Sequence, residues 1–296
     1  MLAHVLRRLW STVTVAVGVA AVIFVLLHLS GDPVALMVPA DAPPQVMEDT
    51  RRALGLDRPL PEQFISYLWR AATGELGTSL RHNRPVAQLI GERLPRTMLL
   101  ATAALVLAVA LAIPAGVVSA LRRGTMVDRV IMVLSVAGQA VPIFWLALML
   151  IWLFAVRLEW LPVFGSGPLA HLVLPAVSPS TIVLGRLARL VRSSMLEVLE
   201  QDYVRTARAK GLAEAHVVLR HALKNAAIPI VTVVGLQFAQ LLGGAVVTET
   251  VFAWPGVGAL AAEAVFTRDF PVVQGVTLVI SLIFVGANLA VDLSYV

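Results

Sequence analysis

The stretch DYVRTARAKGLAEAHVVLRHALKNAAIP, Asp202 to Pro229, holds both lysines of the chain, Lys210 and Lys224, together with Arg205, Arg208 and Arg220. Long apolar runs lie on either side of it. A charged, helix-forming segment enclosed by runs of membrane-spanning length reads as a loop between two spans, and that reading sets the rest of the chain.

Composition agrees. Of 296 residues, 58% are hydrophobic and 14% charged, with a mean hydropathy of +0.85, whereas a soluble domain carries about 25% charged residues. The chain reads as an all-α integral membrane protein with lipid as its medium. Its net charge of +5 does not point to nucleic acid, because the basic residues are dispersed between apolar runs with no aromatic-interleaved face. There is no cysteine, hence no disulfide, thiolate metal site or cysteine nucleophile. The histidines lack the H-x-x-x-H spacing of a metal site, no G-x-S-x-G elbow is present, and no catalytic residue is assigned. Nor does G-x-x-x-x-G-K-[ST] occur, so no phosphate-cradling loop exists here and any ATP chemistry belongs to another polypeptide.

A helix needs about 20 apolar residues to cross a ~30 Å hydrocarbon core. Six segments qualify: Leu9–Leu29, Met98–Leu121, Val130–Val156, His171–Leu190, Ala226–Val247 and Val272–Val296. The first is read as a retained span, because its apolar run exceeds a signal-peptide core and HLSGDP lacks a small-x-small cleavage pattern. The fourth is the weakest; Pro175, Pro179, Arg186 and Arg189 suggest a broken or tilted span. Arg7 and Arg8, RRGTMVDR around Arg122 to Arg129, and the run from Arg186 to Lys224 all fall on one side, which the positive-inside rule makes cytoplasmic. The resulting organisation is a cytoplasmic N-terminus over residues 1–8, a first span over 9–29, an extracytoplasmic segment over 30–97, and a five-helix core over 98–296 with a cytoplasmic loop at 193–226. Both termini are then cytoplasmic, in a cell inner (plasma) membrane protein. Within the outer segment, Leu60, Phe64, Tyr67 and Leu68 recur at helical spacing after Pro59 and Pro61, and Tyr67 and Trp69 suit the headgroup boundary.

In the charged stretch, Ser194 to Glu197 fits a capping box, predicting a helix start at Ser194 with Met195, Leu199, Tyr203 (or Asp202 beside it) and Thr206 on adjacent turns. Gly211 supplies a left-handed stop, with Leu212 free to pack back, and a second short helix is predicted from Glu214 to Asn225. Such an amphipathic pair serves either as a docking surface or as a connector packed on its own bundle.

With these residues in view, EQDYVRTARAKGL followed by RHALKNAAIPIV resembles the cytoplasmic coupling loop, or EAA loop, of binding-protein-dependent ABC importer permeases. Ala207, Gly211 and Leu223 stand at matching positions, Arg205 and Thr206 replace the first two motif residues, and Lys224 stands at the proline position. YxRTARAKGL is the wording usual in the dipeptide, oligopeptide and nickel branch. The blocks LGLDRPLPEQFISYLWRAATGELGTSL, RLPRTMLL, VPIFWLALMLIWLFAV, LPVFG and TETVFAWPGVGALAAEAVFTRDFPVVQGVTLVI are similar to that branch in the same order, and the long outer segment resembles its B-type permease. The resemblance implies six transmembrane helices of type I importer permease form and ATPase coupling through Tyr203, Arg205, Thr206, Ala207, Arg208, Lys210, Gly211 and Leu212. It also implies a second, C-type permease subunit, two ATPase subunits holding ATP and Mg, an extracytoplasmic binding protein, import of peptides or a related solute, and a short tail after Val296. A stand-alone secondary transporter or channel is the competing reading, and it wants internal repeats, which the sequence does not display.

Polar side chains inside spans suggest a pathway. Gln139 precedes Pro142, which should bend the third span; Gln237 and Gln240 share a face of the fifth with Gly244. These amides either line a solute path or bond a neighbouring helix, while Gly235, Gly243 and Gly244 are read as sites of close helix packing. Glu249 either snorkels to the outer surface or contacts solute; Trp254, in FAWPGVGAL, reads as an aromatic-belt residue, and Asn288 and Asp292 as a pair near the last span's end.

Overall fold

The computed structural model describes residues 2–29, 43–53, 57–165, 167 and 169–293. The described elements are helical: α1 (Leu2–Leu29), α2 (Pro44–Ala53), α3 (Leu60–Ala72), α4 (Val86–Leu121), α5 (Met126–Ala140), α6 (Ile143–Arg157), α7 (Ala170–Leu199), α8 (Asp202–Ala209), α9 (Glu214–Val251), α10 (Val257–Phe266) and α11 (Phe270–Leu293). Among the described residues, α4, α7, α9 and α11 are long and apolar enough to cross a membrane, and α5 with α6, bent by 102°, makes a fifth if counted as one span. The six-span reading adds α1, whose described apolar stretch covers Val13–Val25. The Arg7 and Arg8 side chains, Ser166 and the last three residues lie outside the described residues, as does the side chain of Asp292.

Contacts divide the chain into two units, one of residues up to Thr97 together with Pro255 onward, the other Met98–Trp254. In the first, α1 packs along α11, and Phe24 meets Phe64 and Tyr67 of α3 at ring-centroid distances of 5.4 and 6.2 Å. The α3 start agrees with the sequence, Pro59 preceding a proline in the first turn. The Tyr67 hydroxyl is buried without a partner among the described residues, and that burial raises its pKa. The first turn of α4 packs on α10 and α11 through Val86, Ile90, Val257, Leu260 and Val276. Asp269 accepts hydrogen bonds from Ser79 Oγ and from the amides of Leu80 and Arg81, pinning the turn before α4 to the start of α11.

In the second unit α7 is the central helix, packing on α5, α6 and α9. Small residues bring its neighbours close: Ala108 and Ala112 of α4 meet Val183, Leu187 and Ala188. At Gly185 an added Cβ would stand 2.2 Å from the Ser135 carbonyl oxygen of α5.

Several expectations are corrected here. The fourth segment is one continuous helix, not a broken span, despite Pro175 and Pro179. Ser178 Oγ donates to the Pro175 carbonyl that Pro179 leaves unpaired, and Ser180 and Thr181 donate to the preceding turn, so local hydroxyls re-satisfy the backbone. No helix starts at Ser194, which is buried inside α7; Met195 packs there against Val117, Val191 and Ala222, so tertiary burial overrides the capping pattern. The second short helix is also absent as a separate piece, because α9 runs unbroken from Glu214 to Val251 through a wide turn at Val217–Ala222. The bend expected at Pro142 is present: the third segment turns by 102° at Val141–Pro142, where Val141 is extended (φ −76°, ψ 125°) as a residue before proline prefers.

Candidate functional site

The charged stretch forms a compact angle on the end of α7. Gln201 is extended (φ −73°, ψ 148°), which restarts the helix as α8. Gly211 sits at φ +75°, the left-handed conformation expected, with its amide donating to the Arg208 carbonyl at 2.9 Å. Val204 and Ala207 of α8 are buried with Val217 of α9, against Val198 and Leu199. The Arg208 guanidinium forks onto Glu214, Nε to Oε2 at 3.1 Å and Nη2 to Oε1 at 2.6 Å, bracing α8 against the first turn of α9. That carboxylate also raises the Arg208 pKa. Asn225 Nδ2 donates to the Tyr203 hydroxyl at 2.8 Å.

The buried stripe therefore differs from the one expected. Val204 and Ala207 face the protein, while Tyr203 and Thr206 are exposed with Arg205, Lys210, Gly211 and Leu212. A periodicity that starts at Met195 does not carry through, because the helix restarts at Gln201, which shifts the apolar face. Leu212 does not pack back on the last turn; it is 39% exposed.

Beside this angle lies a buried clasp. Asp128, at the start of α5, accepts Arg192 Nε and Nη2 of α7, both at 2.7 Å. It also accepts the Ser119 hydroxyl and the Gly124 amide, so one carboxylate gathers the end of α4, the α4–α5 turn and α7.

The glutamines singled out in the sequence all accept from arginines of α7. Arg189 Nη2 donates to Gln139 Oε1 at 3.0 Å; Arg186 Nη1 donates to Gln240 Oε1 at 2.9 Å and to Gln237 Oε1 at 3.4 Å. Gln237 and Gln240 line, with Arg186, Thr248 and Gly244, a cavity of about 160 Å³ whose walls are otherwise apolar side chains of α4, α6, α7 and α9. Gln139 does not line this cavity; its amide nitrogen bonds the Ser135 carbonyl one turn back. Gly243 and Gly244 do not mediate close packing within the chain, since an added Cβ at either meets nothing within 4 Å.

Glu249 does not snorkel: it is 0% exposed. The chain turns back at Ala253 (φ +48°), and the Trp254 amide donates to the Glu249 carbonyl at 2.8 Å. Trp254 is buried against Leu100, Ala104 and Ala176, not in an aromatic belt. Sequence reasoning missed Arg186, Arg189 and Thr248 as site residues. Two arginines inside an apolar helix are a legible signal, which a reading of them as marks of a weak span and of orientation passes over.

The family profile for the binding-protein-dependent transport system inner membrane component matches residues 112–296, and the profile for the N-terminal part of the same membrane component matches residues 1–101. The chain is 42% identical to the dipeptide transport system permease protein DppB of Alkalihalophilus pseudofirmus, over 100% of this chain and 97% of that one. It is 43% identical, with the same coverage, to the glutathione transport system permease protein GsiC of Escherichia coli K12. A chain of the MetNI methionine ABC transporter, solved in inward facing conformations, shares the fold at a TM-score of 0.54 and 18% identity, covering 70% of this chain and 96% of that one. The chain therefore belongs to the binding-protein-dependent family of ABC importer permeases, as a non-enzymatic, multi-pass inner-membrane subunit.

Proposed function

We propose that the chain is the B-type half of a heterodimeric pathway that imports short peptides, with a C-type permease as the other half. Dipeptide and glutathione, the solutes in its relatives' names, are both short peptides, which supports this substrate class. Two separate ATPase subunits hold ATP and Mg, and an extracytoplasmic binding protein delivers the solute to the side of residues 30–97. Both termini and the α7–α9 angle lie on the cytoplasmic side, in keeping with the arginine and lysine bias of that side.

One observation carries the coupling role. The α8 helix is clamped to the body by Val204, Ala207 and the Arg208–Glu214 fork, while Tyr203, Arg205, Thr206, Lys210, Gly211 and Leu212 stand uncovered. A rigid lever with a free polar face suits the receipt of motion from an ATPase groove. Gln237 and Gln240 belong to the solute path, with Gln139 and Glu249 as supports set back from it. The test is co-purification of the ATPase subunits with detergent-solubilised wild type and Gly211→Val. Retention by wild type and loss with the variant is expected; equal retention together with normal transport would sink the coupling assignment.

A further inference from the structure

Arg186 lies near the middle of α7, 16 residues after Ala170 and 13 before Leu199, or about 24 and 20 Å from the two ends at ~1.5 Å per residue. A cation within an apolar helix is costly unless something compensates it. No carboxylate approaches it among the described residues; its partners are the two neutral amide oxygens of Gln237 and Gln240, and both use Nη1. Its Nε and Nη2 therefore remain available on one edge of the guanidinium. The cavity beside it holds a second polar group without a partner: the Thr248 hydroxyl, on a residue 1% exposed. The remaining walls, among them Leu100, Ile143 and Val183, are apolar.

We propose that Arg186 is a carboxylate-recognition station for the transported solute, oriented by Gln237 and Gln240 and assisted by Thr248. A guanidinium with one edge free matches the two oxygens of a carboxylate in a fork. A single cation neutralises a monoanion and would leave a phosphate dianion half compensated. The apolar walls accept the side chain next to that carboxylate. The proposal rests on the reading of the chain as a peptide permease and specifies which end of the peptide the path reads.

The test is uptake of alanyl-leucine and of alanyl-leucine amide into proteoliposomes carrying the whole transporter, with loading of the binding protein by each solute measured separately. After normalisation to that loading, wild type favours the free acid. Arg186→Gln lowers the acid-to-amide uptake ratio about tenfold or more, the effect of losing a charge-assisted pair. Thr248→Val lowers it by a smaller factor, about threefold. Arg186→Lys keeps the charge without the fork and falls between wild type and Arg186→Gln. An equal fall for acid and amide overturns the station and leaves the permease reading intact. Accompanied by loss of co-purified anionic lipid, that fall reassigns Arg186 to a headgroup; accompanied by loss of the second permease subunit, it reassigns Arg186 to a carboxylate of that subunit. Wild type that takes up neither form, although the binding protein is loaded, overturns the peptide reading and the station together.

Discussion

Replacing Asp128 by Asn removes the charge from a carboxylate that gathers three pieces of backbone. Asp128 is 4% exposed and receives two bonds from Arg192, one from Ser119 and one from the Gly124 amide. Breaking a buried ion pair from one side costs about 3–5 kcal/mol, because the surviving charge is left uncompensated. The Arg192 side chain is 26% exposed, so water recovers part of that loss, and Asn keeps one carbonyl acceptor; about 2–3 kcal/mol is the expected net cost. At ~2–4 °C per kcal/mol for chains of this order of size, the thermal midpoint of the solubilised transporter should fall by about 4–12 °C. Arg192→Gln removes the orphaned charge, so the double variant Asp128→Asn/Arg192→Gln should be more stable than the sum of the two singles by about 1–2 kcal/mol. A shift under about 1 °C for Asp128→Asn, or strict additivity in the double variant, would refute the clasp as an energetic unit.

At Gly211 the surrounding space is open, so the cost of a side chain is conformational and not steric. Gly211→Ala should lose about 1 kcal/mol and Gly211→Val about 2, while Gly211→Asn, which tolerates a positive φ, should retain ATPase co-purification; an Asn variant as damaged as Val would point to a close partner surface. Gly185→Ala drives a methyl onto the Ser135 carbonyl and, at 2.6 Å, onto the Gln139 amide. It should cost about 1–3 kcal/mol in a chemical-denaturation series, and an unchanged midpoint would refute the close approach of α5 and α7. Asp269→Ala orphans Ser79 Oγ and the Leu80 and Arg81 amides, so tryptic cleavage after Arg81 should accelerate about tenfold or more; an unchanged rate would show that the turn is held by something else.

Much of the spanning framework was legible because a membrane demands long apolar helices whatever the neighbours are. Gly211 was legible for a local reason too: its position just past an amphipathic turn already calls for a left-handed residue. The errors have more than one cause. Ser194 carried a capping signature that burial of Met195 overrode, and Pro175 and Pro179 carried a breaking signature that Ser178 and its neighbours repaired. Trp254 reads as a surface residue by its chemistry, and snorkelling was one of the two readings of Glu249, but the turn at Ala253 encloses both. Only for Ser194 do the deciding partners, Val117 and Ala222 around Met195, lie outside the local pattern; at the prolines and at Ala253 the deciding residues are near neighbours in the chain.

From the amino-acid sequence alone follow the membrane class, most span positions, the absence of a phosphate-cradling loop and the glycine stop of the charged angle. All are consequences of composition or of residues within a few turns of one another. Tertiary structure decided which face of α8 is free, and that Gln139, Gln237 and Gln240 each answer an arginine 50 to 54 residues away. It also decided that Thr248 lines a cavity with Arg186. Such pairings depend on how α7 is set against α5 and α9, which is fixed by close packing at sites such as Gly185 and by no periodicity within a single helix.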